Sequence, residues 1–405
     1  MAVTVIGVDG GALPRGSAEV LESARLVVGG RRHLDAHAPE HVRTLELGPL
    51  EPALNALSSL AGDESGVVLA SGDPGFFGAV RALRERGIHC SVLPATSSVQ
   101  QLMARVGRSW DDVTVVSANG RDLRQAVNVC RARQAVIVLT APGAGPAQLG
   151  SGLEGWRRTM IVAEDLGGPH EALVTLEPAE AAKRTWREPN IVLCLADLDA
   201  VPHRGWHAGG EPLPPASGWG LAEDEFSHRD GRIVGAEVRA VALAKLAPRP
   251  GALVWDVGAG CGSVAVECAR LGAASIAVES DETQVVRLIT NAAGHGVDVR
   301  VEEGTAPQAL RELPRPDAIF VGGGGADVVT ACAHAGASRV VVALTALDRI
   351  AATRDSLRSA GYDVEGVQVS ASRLADLPDG SARLAASTPV VLVTGRKDAA
   401  KEQDR

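Results

Sequence analysis

The chain has 405 residues, room for two or three domains at about 150 residues each, which excludes a small stapled scaffold. Hydrophobic residues at 45% and charged residues at 22% exclude a disordered or collagen-like chain, and 46 glycines with only 3% aromatics favour α/β units with tight strand-to-helix turns. A net charge of −9 has the wrong sign for a protein that neutralises phosphates, so general nucleic-acid binding is excluded.

The apolar run Val3–Val8 at the start has no basic segment ahead of it and reads as a first strand, not a signal peptide. His33, His37 and His41 then fall at i, i+4 and i+8 with Asp35 and Glu40 among them, a spacing that invites a metal reading. Pro39 cannot sit inside a helix aligning all three, so exposed histidines on a turn are expected and no metal. Further apolar runs at Val67–Ala70, Val113–Val116, Ala135–Leu139 and Ile191–Leu195 alternate with helical stretches, as buried parallel strands do. The uncharged stretch Gln134–Leu153 contains Pro142, Pro146 and four glycines, which a membrane span would not carry, so a cytoplasmic protein is expected.

From Asp199 to Arg232 the periodicity stops and Pro, Gly and Trp accumulate. A linker is placed at 201–226, between domains at 1–200 and 227–405. The second half repeats the α/β pattern with runs at Leu253–Val257, Ser275–Val278, Val297–Val301, Ala318–Val321, Val340–Leu344 and Val390–Val393. Cysteines 90, 130, 194, 261, 268 and 332 form no C-x-x-C, against a disulfide framework or zinc site.

The sharper motif lies in the second half, where Leu253–Val257 runs into Gly258-Ala259-Gly260-Cys261-Gly262 and then a helix. Three glycines there let backbone approach a nucleotide-like ligand at a helix N-terminus. A dinucleotide fold would space them G-x-G-x-x-G, but Ser263 occupies the third position, which counts against a nicotinamide-dependent dehydrogenase. Asp256 is placed to meet a ligand ammonium, and Glu279, ending the next strand, to meet two ribose hydroxyls. Those acids favour a cationic, phosphate-free adenosine ligand.

Asp256-x-Gly258-x-Gly260-x-Gly262, then Glu279, then Glu302-Glu303-Gly304-Thr305-Ala306-Pro307 resemble the three successive elements of class I S-adenosylmethionine-dependent methyltransferases. The first half carries Gly72-Asp73-Pro74 and Phe76 after a buried strand and Thr96-Ser97-Ser98 at a helix start. Each alone is also an ordinary turn or helix cap. Together with Trp110, Asn119-Gly120-Arg121 and Glu164 to Gly168 they resemble the tetrapyrrole methylase family, within it the C5-methylating domain of the cobalamin pathway. Glu237-Val238-Arg239, Gly322 to Gly325 and Ser372-Arg373 fit the partner domain that methylates C15 and decarboxylates, so the whole chain resembles the fused C5,15-methyltransferases of that pathway.

The resemblance implies an α/β protein with a tetrapyrrole methylase fold of two α/β subdomains joined to a Rossmann-like methyltransferase fold. It implies one S-adenosylmethionine per domain, an anionic tetrapyrrole (precorrin) substrate and a homo-oligomer. Donor contacts carry over to Asp256, Gly258, Ala259, Gly260, Cys261, Gly262, Glu279, Thr305 and Ala306, and to the backbone of Val234. In the first domain they carry over to Gly72, Asp73, Phe76, Thr96 and Ser97. Arg239 and Arg373 are expected as clamps for substrate carboxylates, with Gly323 and Gly324 beside the substrate; no general acid or base is assigned. A two-domain methyltransferase for another small molecule and a non-catalytic tetrapyrrole-binding protein are the competing readings.

Overall fold

The computed structural model describes residues 2–48, 50–199, 218–229 and 233–397. Of the expected linker, residues 201–217 lie outside the described residues. The first half begins with β1 (Ala2–Val8), α1 (Ser17–Glu22), β2 (Leu26–Gly29), α2 (Arg31–His37), β3 (Arg43–Glu46), α3 (Leu50–Ser58), β4 (Ser65–Ser71), α4 (Ala79–Glu85) and β5 (Cys90–Leu93). These strands form an all-parallel sheet in the order β3-β2-β4-β1-β5. Both faces are covered, which is why its central strands are continuously apolar. Val3 and Val5 pack with Val28 and Val68 on one face, while Ile6 and Val8 pack with Val27 and Leu69 on the other.

Next come α5 (Ser98–Val106), β6 (Thr114–Ser117), α6 (Leu123–Ala132), β7 (Ala135–Leu139), α7 (Pro146–Gly152), β8 (Thr159–Glu164), β9 (Ala172–Leu176), α8 (Pro178–Ala181) and β10 (Asn190–Leu195). Their sheet runs β6-β7-β10-β8-β9, and only the β6–β7 pair is parallel. The expectation of parallel strands at Ala135–Leu139 and Ile191–Leu195 is therefore corrected, since the two are antiparallel neighbours. Burial on both faces gives the same apolar run in either direction. A connection as short as Asp165–Glu171, between β8 and β9, can join only antiparallel strands.

The second half contains α9 (Ala236–Leu246), β11 (Leu253–Val257), α10 (Ser263–Arg270), β12 (Ala274–Glu279), α11 (Glu282–Gly294), β13 (Arg300–Glu303) and β14 (Ala318–Val321). It continues through α12 (Ala326–His334), β15 (Arg339–Leu344), α13 (Arg349–Ser359), β16 (Asp363–Val369), β17 (Ser372–Asp376), β18 (Ala382–Ala386) and β19 (Val390–Arg396). Seven strands form one sheet, β13-β12-β11-β14-β15-β19-β16, parallel except that β19 runs against both β15 and β16. The strand expected at Val297–Val301 lies later, at Arg300–Glu303. Strand order reverses between β11 and β14, so a crevice opens at their carboxyl ends. By contacts, β1 to β10 with their helices other than α6 form one compact unit, while α6, residues 155–157 and everything from residue 218 onward form a second. Among the described residues no helix is long and apolar enough to cross a membrane.

Arg239, expected as a substrate clamp, is instead an internal brace of the second unit. It is 0% exposed. Its Nε donates to Glu267, its Nη1 to the Val234 carbonyl and its Nη2 to the Leu221 carbonyl, and its guanidinium lies 4.8 Å from the Phe226 ring centroid. Glu267, 1% exposed, also accepts from Gly220 N at 2.6 Å and Leu221 N at 3.1 Å. All three guanidinium nitrogens are engaged inside the unit and the group is fully buried, so it presents no face to a substrate carboxylate.

Removing one partner of a buried pair strands the other charge, so Arg239→Met should lower the unfolding free energy by about 3 to 5 kcal/mol. Pairing it with Glu267→Leu should recover part of that loss in urea melts. A single-variant loss below about 1 kcal/mol, the range of an exposed pair, would refute the brace.

Candidate functional site

In the second unit the chain leaves β11 through three glycines in left-handed conformations, Gly258 (φ 68), Gly260 (φ 55) and Gly262 (φ 78). Two are held by close approach. A Cβ on Gly258 would lie 2.8 Å from Gly323 N, and one on Gly262 would lie 2.5 Å from Leu288 Cγ. The flank of Gly260 faces open space, which leaves a cradle where a ligand meets backbone.

Glu279, at the tip of β12, accepts from Gly260 N at 2.7 Å through Oε2, and from Ser280 N and Asp281 N at 2.8 and 3.0 Å through Oε1. Its carboxylate therefore stands against the glycine loop, half-exposed, with Gly304 N donating to its own carbonyl at 2.9 Å. That last bond brings the turn bearing Thr305 and Ala306 to the same rim. Gly322 N donates to the Val257 carbonyl at 2.9 Å, so Gly323 and Gly324 border the crevice from the β14 side. A hollow of about 240 Å³ there also contains Arg349, whose Nη1 donates to the Gly324 carbonyl at 3.2 Å.

Some expected contacts are not made by the side chains named for them. Asp256 lies beneath the loop, 2% exposed, and its Oδ2 accepts from Ala265 N at 2.9 Å, so it steadies α10 and does not reach a ligand ammonium. Burial pushes its carboxyl up to about 7, opposed by the Ala265 N–H and assisted by the nearby Glu279 charge. Cys261 is buried and its thiol is pushed up by burial, leaving only its backbone near the crevice. The Val234 carbonyl is taken by Arg239. Arg373 is bound on both sides, by Glu223 at 2.7 Å and by Glu237 at 3.0 and 2.7 Å, and the pair of carboxylates raises its already high pKa. One cation between two carboxylates carries net negative charge, the wrong sign for a carboxylate clamp, so that expectation is corrected too. Sequence reading missed Asn291, whose buried amide donates to the Cys261 carbonyl at 2.9 Å and fastens the loop to α11.

The first unit holds a cleft of about 610 Å³ where the carboxyl ends of β1 and β4 face loops of its second sheet. Gly72, Asp73, Phe76 and Ser97 all line it. Gly72 (φ 66) donates to the Val8 carbonyl at 2.7 Å, and Asp73 Oδ1 accepts from Gly75 N at 2.8 Å, fixing the turn. Ser97 is also the N-cap of α5, in a reciprocal capping box with Gln100. Thr96 stands outside the lining, its N donating to Asp9 Oδ2 at 3.3 Å. Along its lining, two backbones touch: a Cβ on Gly10 would lie 2.7 Å from Gly167 O, and one on Gly167 would lie 2.5 Å from Asp9 O.

The histidines differ from expectation. Helix α2 ends at His37, before Pro39, but His33 is not an exposed turn residue. It is 7% exposed, lines the cleft and lies 2.8 Å from Ser71 Oγ through Nε2. Burial lowers its pKa to about 4, helped by Arg32 and His37, so the ring is neutral near pH 7. Among the described residues no group of three or more His, Cys, Asp or Glu side chains could hold a metal ion.

Comparison with known proteins matches residues 3–182 to the Tetrapyrrole (Corrin/Porphyrin) Methylases and residues 224–391 to the Precorrin methyltransferase domain. A precorrin-6Y C(5,15)-methyltransferase [decarboxylating] of Sinorhizobium sp is 36% identical over 80% of this chain and 79% of its own length. One of Mycobacterium tuberculosis is 33% identical over 85% of this chain and 87% of its own. A cobalt-precorrin-7 C(5)-methyltransferase of Salmonella typhimurium is 30% identical over 44% of this chain and 89% of its own.

Because the Asp256 carboxyl is raised in the folded protein from 3.8 to about 7, its favourable contribution is complete below pH 4. It declines as pH rises to 7, since the folded state holds a proton that the unfolded state has released. Asp256→Asn, which keeps the acceptor for Ala265 N, should match the parent in stability at pH 4 and exceed it at pH 8. Urea melts at both values check this; an equal difference at the two pH values would contradict a buried, titrating Asp256.

Proposed function

The chain belongs to the precorrin-6Y C(5,15)-methyltransferase (decarboxylating) family, and from that premise we propose that residues 1–200 methylate C5 while residues 227–405 methylate C15 and release carbon dioxide. The reaction is S-adenosylmethionine-dependent methylation of a precorrin with decarboxylation, a step of cobalamin biosynthesis. Each half uses its own molecule of donor. The observation that carries this for the second half is the open flank of Gly260 beside the Glu279 carboxylate, a cradle for a ribose presented to bare backbone. In the first half the fixed turn at Gly72-Asp73 plays the corresponding part. That a C5-methyltransferase exists as a separate chain, matching 44% of this one, supports two separable activities.

The donor supplies a methyl group on a sulfonium, an electrophile whose departing thioether needs no acid. What remains for the chain is positioning and exclusion of water. As the new C–CH₃ bond forms, the S–CH₃ pair stays with sulfur and the positive charge passes to the macrocycle, which sheds a proton. Loss of carbon dioxide leaves its bonding pair on the side-chain carbon, from which the conjugated ring accepts it once a pyrrolic nitrogen is protonated. Glu279 orients the donor in the second half through charge-assisted hydrogen bonds. The Gly258–Gly323 contact sets the depth at which donor and macrocycle meet. Near-attack distances of about 3 to 3.5 Å leave one pocket unable to serve two distant meso carbons, so two pockets are needed.

Calorimetry on the intact protein should resolve two donor sites. Glu279→Ala should weaken one of them by about 1 to 3 kcal/mol, the cost of leaving hydroxyls without their charged acceptor, and leave the other alone. A single site, or two unaffected ones, would overturn the assignment of Glu279.

Asp73→Ala should yield a product one methyl lighter than that of the parent while carbon dioxide is still released, read by mass spectrometry and trapped label. If release stops in a protein that remains folded, decarboxylation does not belong to the second half.

A further inference from the structure

Four residues after Asp73, Phe77 has φ 54, one of only three non-glycine residues at positive φ among those described. For a bulky side chain this left-handed conformation costs roughly 1 to 2 kcal/mol, so something must impose it. The loop around it is locked from both ends. Gly72 N is tied to Val8 and Gly75 N to Asp73, and Gly78 is pressed so closely on Pro74 that a Cβ there would sit 2.4 Å from the Pro74 carbonyl oxygen. Packing does not offset the strain, because the Phe77 ring is 43% exposed and its neighbour Phe76 is 39% exposed. The two rings meet edge to face at 4.9 Å on the wall of the 610 Å³ cleft. With four phenylalanines in 405 residues, two strained or exposed at one cleft mouth call for a use, and backbone strain of this kind gathers at ligand clamps.

Charge narrows that use. The Arg121 guanidinium lies 5.9 Å from the Phe77 ring centroid, and Arg32, which also lines the cleft, reaches Ser71 Oγ at 3.3 Å. Among the described residues neither arginine is paired with a carboxylate. An exposed aromatic wall accompanied by two guanidinium groups without a carboxylate partner matches a ligand with a broad conjugated face and a carboxylate periphery. Resting on the function proposed above, we infer that Phe77 is the surface against which the tetrapyrrole lays one face in the first unit, with Arg121 receiving a peripheral carboxylate. The strained backbone holds the ring out for that contact and stops it from folding inward.

The test separates ring from backbone. Phe77→Gly and Phe77→Asn both tolerate positive φ and lose the ring, whereas Phe77→Tyr keeps it. With a precorrin-6-type tetrapyrrole, metal-free and cobalt-containing in separate arms, C5 methylation is followed by mass at varied substrate concentration. The Gly and Asn variants should raise KM roughly tenfold, as for loss of one stacked face. Their kcat at saturation and donor affinity should hold and their thermal midpoint should hold or rise as the backbone strain is relieved, while the Tyr variant behaves as the parent. Arg121→Gln should raise KM as well and flatten its dependence on salt. If the parent methylates C5 and the Gly and Asn variants keep its KM, the inference is wrong while the function stands. A Tyr variant as impaired as Gly would likewise overturn it. If the parent methylates neither tetrapyrrole, the function proposed above falls and this inference with it.

Discussion

The second unit is organised around a charge pair from which water is excluded. Glu267 sits on α10, the helix that begins at the glycine loop, and Arg239 sits on α9. Between them they satisfy the Gly220 and Leu221 N–H groups and the Leu221 and Val234 carbonyls. The entering segment, two helices and the Val234 turn are thus joined by one fully connected polar network, the condition under which buried charge is tolerated. The glycine loop inherits its position from that network, because α10 cannot shift without breaking bonds to three other parts of the chain.

Glycines then decide where ligands can approach. At Gly258 and Gly262 the absence of a side chain is a packing requirement, imposed by Gly323 and Leu288, while at Gly260 it leaves space. In the first unit the same division recurs. Gly7 is confined, since a Cβ there would lie 2.5 Å from the Gly72 carbonyl oxygen, whereas Gly72 turns the chain toward the cleft. Strand ends that pack this tightly can offer backbone donors and acceptors to a ligand without intervening side chains.

Much of this was readable beforehand, for a physical reason. Ala135–Leu139, Leu253–Val257 and Ala318–Val321 coincide with strands because burial on both sheet faces makes a strand apolar nearly throughout, with Asp256 the exception. Strands such as β3, β17 and β18 carry mostly exposed residues and leave no such trace. The glycine spacing announced the turn after β11, and the structure stands Glu279 against it. The roles of Arg239 and Arg373 could not be read, because the same side chain serves as clamp or brace depending on a carboxylate far away in sequence. Glu267 lies 28 residues from Arg239, and Glu223 lies 150 from Arg373. The burial of His33 leaves no trace in the sequence because its helix of seven residues is too short to show which face is buried.

The seam between Gly10 and Gly167 brings a loop from each sheet of the first unit together beside their cleft, backbone against backbone. A seam made that way has no adjustable part: enlarging either residue would force the two loops apart. Descendants of this chain that took up a bulkier or slimmer macrocycle would have to find their room elsewhere along the walls. Divergence in ligand size should therefore be written in the other loops that line the cleft, while the two glycines stay as they are.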